Sequence, residues 1–347
     1  MIKYIQPPPV SAANGMLHEM YGQIRNDFGF VGDIFTIHSL SPSLLAGLWS
    51  SMRETEMVGK VPRSIKEAVA VAVAKSNQCP FCVDAHSMML MATGNNQVVQ
   101  RINSDQAELI PDEKMRSVVQ WALATRSPGS SLLLNPPFTN LEAPEIIGTA
   151  VTNHYITRMI DVLLSNQSPI PVRNAFLKKL LQRAVALVFA SSVRKSRNQG
   201  ASLVFTTESE LPNDFWWAEH HPYIRFALAA FADAVNRAGE QSLTEDSRTV
   251  VKQHIDAWTG EEPGISRQWA EKAVSSLSGG SRTAARLALL TAIAPYQIDD
   301  ELIHEFQSVH REGIHLLNVL SWSSFMAARR IGTWLSAPFK ADEEGNP

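Results

Sequence analysis

The chain has 347 residues, 45% of them apolar and 19% charged, with a formal net charge of −3. That length asks for about two domains or one duplicated domain. The near-neutral balance excludes binding that rests on charge alone, whether to nucleic acid or to an anionic membrane. The densest basic run, Arg194-Lys195-Ser196-Arg197, is too short for a binding arm and reads as a helix end.

No stretch approaches the ~18–20 uninterrupted apolar residues a membrane span needs. Residues 1–15 carry Pro7-Pro8-Pro9 and no apolar segment of signal-peptide length. The expected location is the cytoplasm, with no membrane or nucleic-acid partner. Only two cysteines occur, three positions apart, which is no framework for a secreted fold. In a reducing compartment such a pair points to catalysis or metal binding.

In chain order, residues 16–26 and 44–54 read as amphipathic helices, the second opened by Ser41 as N-cap and Pro42 in its first turn. Residues 64–77 are ambiguous, because Val69, Val71 and Val73 alternate with alanines as in a strand. The alanines favour a buried helix, and Ser64 with Glu67 has the spacing of a capping box. A helix over 83–92 stops at Gly94, and another over 112–125 follows Pro111. Residues 127–144 form a loop rich in Pro, Gly, Ser and Asn, followed by a long helix over 145–164. A linker is expected at 165–171, a helix at 172–194 and a short extended piece at 202–207.

The rest reads as a worn copy of the first part. His221-Pro222 opens a helix as Ser41-Pro42 does. Residues 283–294 parallel 64–75, and 322–334 lie against 151–163 with Arg329 matching Arg158. An insertion at 243–277 separates the copies' blocks, and Pro295-Tyr296-Gln297-Ile298-Asp299 takes the place of Gln78-Cys79-Pro80-Phe81-Cys82. The expected organisation is a unit over 1–165, a linker with a helix over 166–211, and a degenerate unit without cysteines over 212–347.

The chemistry concentrates in Glu67, then eleven residues, Cys79-Pro80-Phe81-Cys82, three residues and His86. Cysteines at this spacing can close a small disulfide ring, and a helix N-terminus would favour a thiolate there. Pro80 suits a first helical turn. His86 lies at i+4 from Cys82, on the same helix face, where an imidazole can take a thiol proton. A carboxylate from the preceding helix, Glu67, can orient that imidazole. The same pair could be half of a zinc site, although His86 is the only nearby third ligand. It could also be the redox pair of a thioredoxin fold, although strand candidates are few.

At these residues the chain resembles the carboxymuconolactone decarboxylase superfamily, in its alkylhydroperoxidase D branch. Glu67, Cys79, Cys82 and His86 fill all four places of that branch's motif, and Pro42 and Lys66 fit its run-up. The resemblance is good over 41–94 and looser over 145–164. It implies an all-α fold, assembly as a homo-oligomer and a thiol-dependent peroxidase that acts on organic hydroperoxides or a partner disulfide. A separate thiol protein would re-reduce it, and no cofactor beyond the cysteine pair is called for. In this reading Cys82 attacks the hydroperoxide, Cys79 resolves the sulfenic acid, and Glu67 with His86 relays the proton. Phe81 stands where the hydroperoxidases carry a second histidine, which makes the relay shorter or water-bridged. Phe81, Asn153 and His154 are the candidate pocket residues, and no metal ligand is assigned. The alternatives are a non-catalytic helical scaffold with a vestigial site, or a decarboxylase-type lyase.

Overall fold

The computed structural model describes residues 2–165, 170, 172 and 174–344. Among these no strand forms, and the single isolated bridge ties Ile2 to Leu164. The all-α expectation holds. α1 (Gly15–Phe28), α2 (Asp33–His38) and α3 (Pro42–Met52) lead into a wider turn of π-helix at Arg53–Met57. α4 (Arg63–Ser76) and α5 (Pro80–Ala92) carry the cysteine motif, followed by α6 (Asn96–Asn103) and α7 (Glu113–Leu123). The expected loop at 127–144 holds a short α8 (Ser131–Leu134) before the long α9 (Ala143–Leu163).

α10 (Ala175–Arg194) begins three residues later than expected, with Asn174 as its N-cap. Most of the linker expected at 165–171 lies outside the described residues. The extended piece expected at 202–207 is instead a 3₁₀ turn at Leu203–Phe205. Beyond it run α11 (Pro222–Ser242), α12 (Glu245–Ala257), α13 (Gln268–Ala273), α14 (Gly279–Ile293), α15 (Asp300–Val309) and α16 (Gly313–Glu344). α12 and α13 fall within the stretch read as an insertion.

Every residue of α4 from Ile65 to Ala74 is buried. Its valine–alanine alternation therefore serves a helix enclosed on all sides rather than a two-faced strand. α4 packs between α5, α7 and α9. α3 packs on α11, and α9 packs on α16. The first of these approaches depends on Gly47: a Cβ there would lie 2.8 Å from the Phe231 Cα. Gly148 of α9 does the same for the π turn, where a Cβ would lie 2.5 Å from the Thr55 Cγ2.

Several buried charges are paired, which offsets the cost of their burial. Arg53 meets Asp27 at 2.7 Å and Glu54 at 2.8 Å, and Arg197 reaches the same aspartate at 3.0 Å. Lys66 meets Glu145 at 2.7 Å, and that carboxylate also accepts from the Lys60 and Val61 amides. Gly59, at φ +120°, makes room for it. These pairs pin the π turn and the start of α4, and so fix where Glu56 and Glu67 sit.

Candidate active site

The cysteine pair lies at a junction with almost no connecting chain. α4 ends with Gln78 in the left-handed region at φ +55°. The Cys79 amide donates to the Ala74 carbonyl and the Gln78 amide to the Lys75 carbonyl, both at 3.0 Å. This closure is a Schellman motif. Cys79 then serves at once as N-cap of α5, with Pro80 at the first helical position as expected. Gly94, at φ +98°, follows the other end of α5, also as expected.

Both cysteines are reduced and buried, Cys79 completely. The two sulfurs act on each other: Cys82 raises the Cys79 thiol, whereas Cys79 lowers the Cys82 thiol, which makes Cys82 the easier of the two to ionise. The amide of Cys82 at the helix start lowers both, which is the expected effect of a helix N-terminus. Burial outweighs it. The Cys82 thiol is pushed up and the Cys79 thiol pushed up further. The helix terminus alone therefore does not bring either thiol below its ordinary range: a base must take the proton.

That base is at hand. The His86 Nδ1 lies 3.0 Å from Glu67 Oε2 and 3.6 Å from Glu56 Oε1. Burial by itself lowers the imidazole pKa, but Glu56 and Glu67 together leave it raised. Burial works against the Glu67 carboxylate too, yet Arg63 and His86 hold it below its usual range. Arg63 donates from Nε to Glu67 at 2.7 Å and stands 3.8 Å from Glu56. Glu67 therefore does not close the expected capping box; Pro62 caps α4, and the carboxylate turns inward to Arg63 and His86.

Cys82 and His86 line one apolar cavity of about 140 Å³. Phe81, Phe30 and Phe189 form aromatic walls, and Met88, Ile156 and Ile160 complete much of the remainder. Phe81 thus lines the same cavity as Cys82 and His86. Asn153 does not; it donates to Glu56 at 3.0 Å and so holds the second carboxylate. His154 is also corrected. It is fully buried away from the cavity, between Asn77 at 2.9 Å and the Thr125 hydroxyl at 3.0 Å. Burial and the neighbouring Arg158 and Arg126 push its pKa well down, which leaves a neutral structural histidine.

Glu56, Arg63 and Asp161 escaped the sequence reading. Asp161 alone carried a signal, a charge inside an apolar helical run between Met159-Ile160 and Val162-Leu163; Glu56 and Arg63 sit among other polar residues. Glu56, Glu67 and His86 offer ligand atoms within 4.8 Å of one another, the one such set among the described residues. They could hold a cation, but Arg63 already places positive charge beside both carboxylates.

This helical architecture and its cysteine motif belong to the carboxymuconolactone decarboxylase family, whose pattern matches residues 44–123, in its alkylhydroperoxidase D-like branch. Over nearly its full length the chain is similar to the alkyl hydroperoxide reductase Rv2159c of Mycobacterium tuberculosis (strain ATCC 25618 / H37Rv). The two are 35% identical over 336 residues, which is 97% of this chain and 95% of the relative. No helix among the described residues is long and apolar enough to cross a membrane.

Proposed function

We propose that this chain is a thiol peroxidase that reduces organic hydroperoxides, with Cys82 as the attacking sulfur, Cys79 as the resolving one, and His86 with Glu67 as the proton relay. The observation that carries this reading is the shared apolar cavity of Cys82 and His86, backed by the carboxylates that make the imidazole more basic. A hydroperoxide with an apolar tail fits a site lined by phenylalanine and methionine, whereas hydrogen peroxide gains nothing from those walls. The relative's name supports the same substrate class.

In this reading His86 takes the Cys82 proton as the hydroperoxide arrives. The sulfur attacks the terminal oxygen, the O–O bond breaks, and the imidazolium returns the proton to the departing alkoxide. Cys82 is left as a sulfenic acid. Cys79, whose thiol already interacts with that sulfur, closes the disulfide and releases water. A thiol reductant of the two-electron class restores the dithiol.

The same reading takes 1–165 as the catalytic unit and 212–347 as a packing unit derived from it, joined through 166–211. It is supported by the pairing of like with like, α3 on α11 and α9 on α16.

The test is single-turnover oxidation of the reduced protein by cumene hydroperoxide, compared with hydrogen peroxide. One disulfide per chain should form, faster with cumene hydroperoxide by about tenfold or more, since apolar contact is worth a few kcal/mol. Cys82→Ser should abolish the reaction, and Cys79→Ser should stop it at the sulfenic acid. Failure of the reduced wild-type protein to consume either peroxide with a dithiol present overturns the proposal.

A further inference from the structure

The mechanism above leaves one question open on the Cys79 side: where the resolving thiol's own proton goes. His86 and the apolar cavity serve Cys82. Cys79 faces elsewhere, toward Asp161 near the end of α9. The Cys79 thiol is close enough to both Cys82 and Asp161 for each to raise its pKa. The Asp161 Oδ1 is buried with no hydrogen-bond partner among the described residues. It is therefore a free acceptor beside a thiol that must lose a proton.

Asp161 also opens onto a polar cavity of about 220 Å³. That cavity shares no lining residue with the apolar one at Cys82. The apolar chamber thus lies against Cys82, and the polar one is reached through Asp161.

We propose that Asp161 is the catalytic base of the resolving step, taking the Cys79 thiol proton as Cys79 attacks the oxidised Cys82, with the polar cavity as its route to solvent. The inference rests on the peroxidase reading. In the step, the Cys79 S–H bond breaks and its proton passes to the carboxylate. The S–S bond forms, the Cys82 S–O bond breaks, and hydroxide leaves as water with a proton that His86 has regained from solvent after the alkoxide departed. Cys79 is oxidised and the sulfenic sulfur reduced, so the hydroperoxide remains the only oxidant. When a thiol reductant opens the disulfide, the Asp161 carboxyl returns a proton to Cys79.

The surroundings suit both directions. Burial raises the Asp161 carboxyl to about 7, against the Cys79 hydrogen bond and the Arg158 charge that lower it. Arg158 faces it from its own helix; Lys3, Arg126, Glu262 and Tyr296 face the same cavity from the neighbouring segments. Both cysteines feel the carboxylate from the α4–α5 junction. A group poised near neutrality can take a proton and give it back.

The experiment separates the two chemical steps in the full chain. Reduced protein receives one equivalent of cumene hydroperoxide; sulfenic acid is trapped with dimedone, and disulfide closure is followed across about pH 5.5–8.5. In wild type, closure should rise with an inflection near neutrality. In Asp161→Asn, dimedone-trappable Cys82 should accumulate and closure should slow by about 10²-fold, with the inflection gone. Asp161→Glu should recover part of the rate. Closure in Asp161→Asn that matches wild type overturns the proposal, and so does a flat wild-type profile, which decides the matter even where the variant does not fold. Formation of Cys82 sulfenic acid in wild type with unaltered closure in the variant sinks the role of Asp161 alone. Absence of any sulfenic acid in wild type sinks the peroxidase reading with it.

Discussion

Glu67 Oε2 and His86 Nδ1 meet at 3.0 Å in a fully buried setting, with Glu56 0.6 Å farther from the same nitrogen (3.6 Å against 3.0 Å). The two carboxylates serve one imidazole, but their environments drive them apart. Burial, then Glu67, pushes the Glu56 carboxyl up, whereas Arg63 and His86 overcome burial at Glu67 and hold it down. One is held ionised at the expense of the other.

The two glutamates should therefore respond to pH with opposite sign. Glu67 binds its proton more weakly in the fold than in the unfolded chain. Its contribution to stability is present above the ordinary carboxylate pKa of about 4.3 and is lost as pH falls through the folded value. Glu67→Gln should cost about 3–5 kcal/mol near pH 7, a gap that narrows in acid. Glu56 binds its proton more tightly in the fold, so its charged form costs stability as pH rises. Glu56→Gln should melt higher than wild type near pH 8 and level with it near pH 4. Thermal melts across that range check both.

Peroxide kinetics should follow the same pair. Without the Glu67 charge the His86 imidazole becomes less basic. Glu67→Gln should slow Cys82 oxidation by about 10²-fold. Stopped-flow oxidation with cumene hydroperoxide reads this directly.

The Lys66–Glu145 pair places the motif-bearing helix against α9, with Lys66 and Glu145 both almost fully buried. Lys66→Met leaves the carboxylate without its cation and should cost about 3–5 kcal/mol. Adding Glu145→Gln should recover part of that loss, because the amide oxygen still accepts from the Lys60 and Val61 amides. Denaturant midpoints of the two variants make the comparison.

Gly47 sets the distance between α3 and α11. Gly47→Ala drives a Cβ to 2.8 Å from the Phe231 Cα and should cost about 1–3 kcal/mol. An unchanged melting temperature would show that the helices separate freely.

Gln78 holds a left-handed conformation that ordinary side chains adopt at a cost of roughly 1–2 kcal/mol. Gln78→Gly relieves that strain and loses part of the gain to backbone entropy, for a net stabilisation of up to about 1 kcal/mol. Gln78→Val should destabilise and disturb disulfide closure, because the next residue is Cys79. Melting temperature and closure rate measure the two effects.

The sequence alone determined the helical class and the local chemistry. The alanines of α4, Pro42 and Pro80 in first turns, and Gly94 after α5 are short-range signals that tertiary contacts did not override. The spacing of Cys79, Cys82 and His86 likewise survives because a helix fixes it. What the tertiary structure decided is which distant charges enter the site. Glu56 arrives on a π turn, Arg63 turns Glu67 away from capping, and Asp161 comes from a helix some eighty residues beyond the cysteines. It also moved Asn153 and His154 out of the pocket, to the Glu56 carboxylate and to a buried hydrogen-bonded pair of contacts. Burial is the physical reason: a thiol's readiness to ionise is set by the desolvation and charges around it, and those depend on packing between segments that no local spacing encodes.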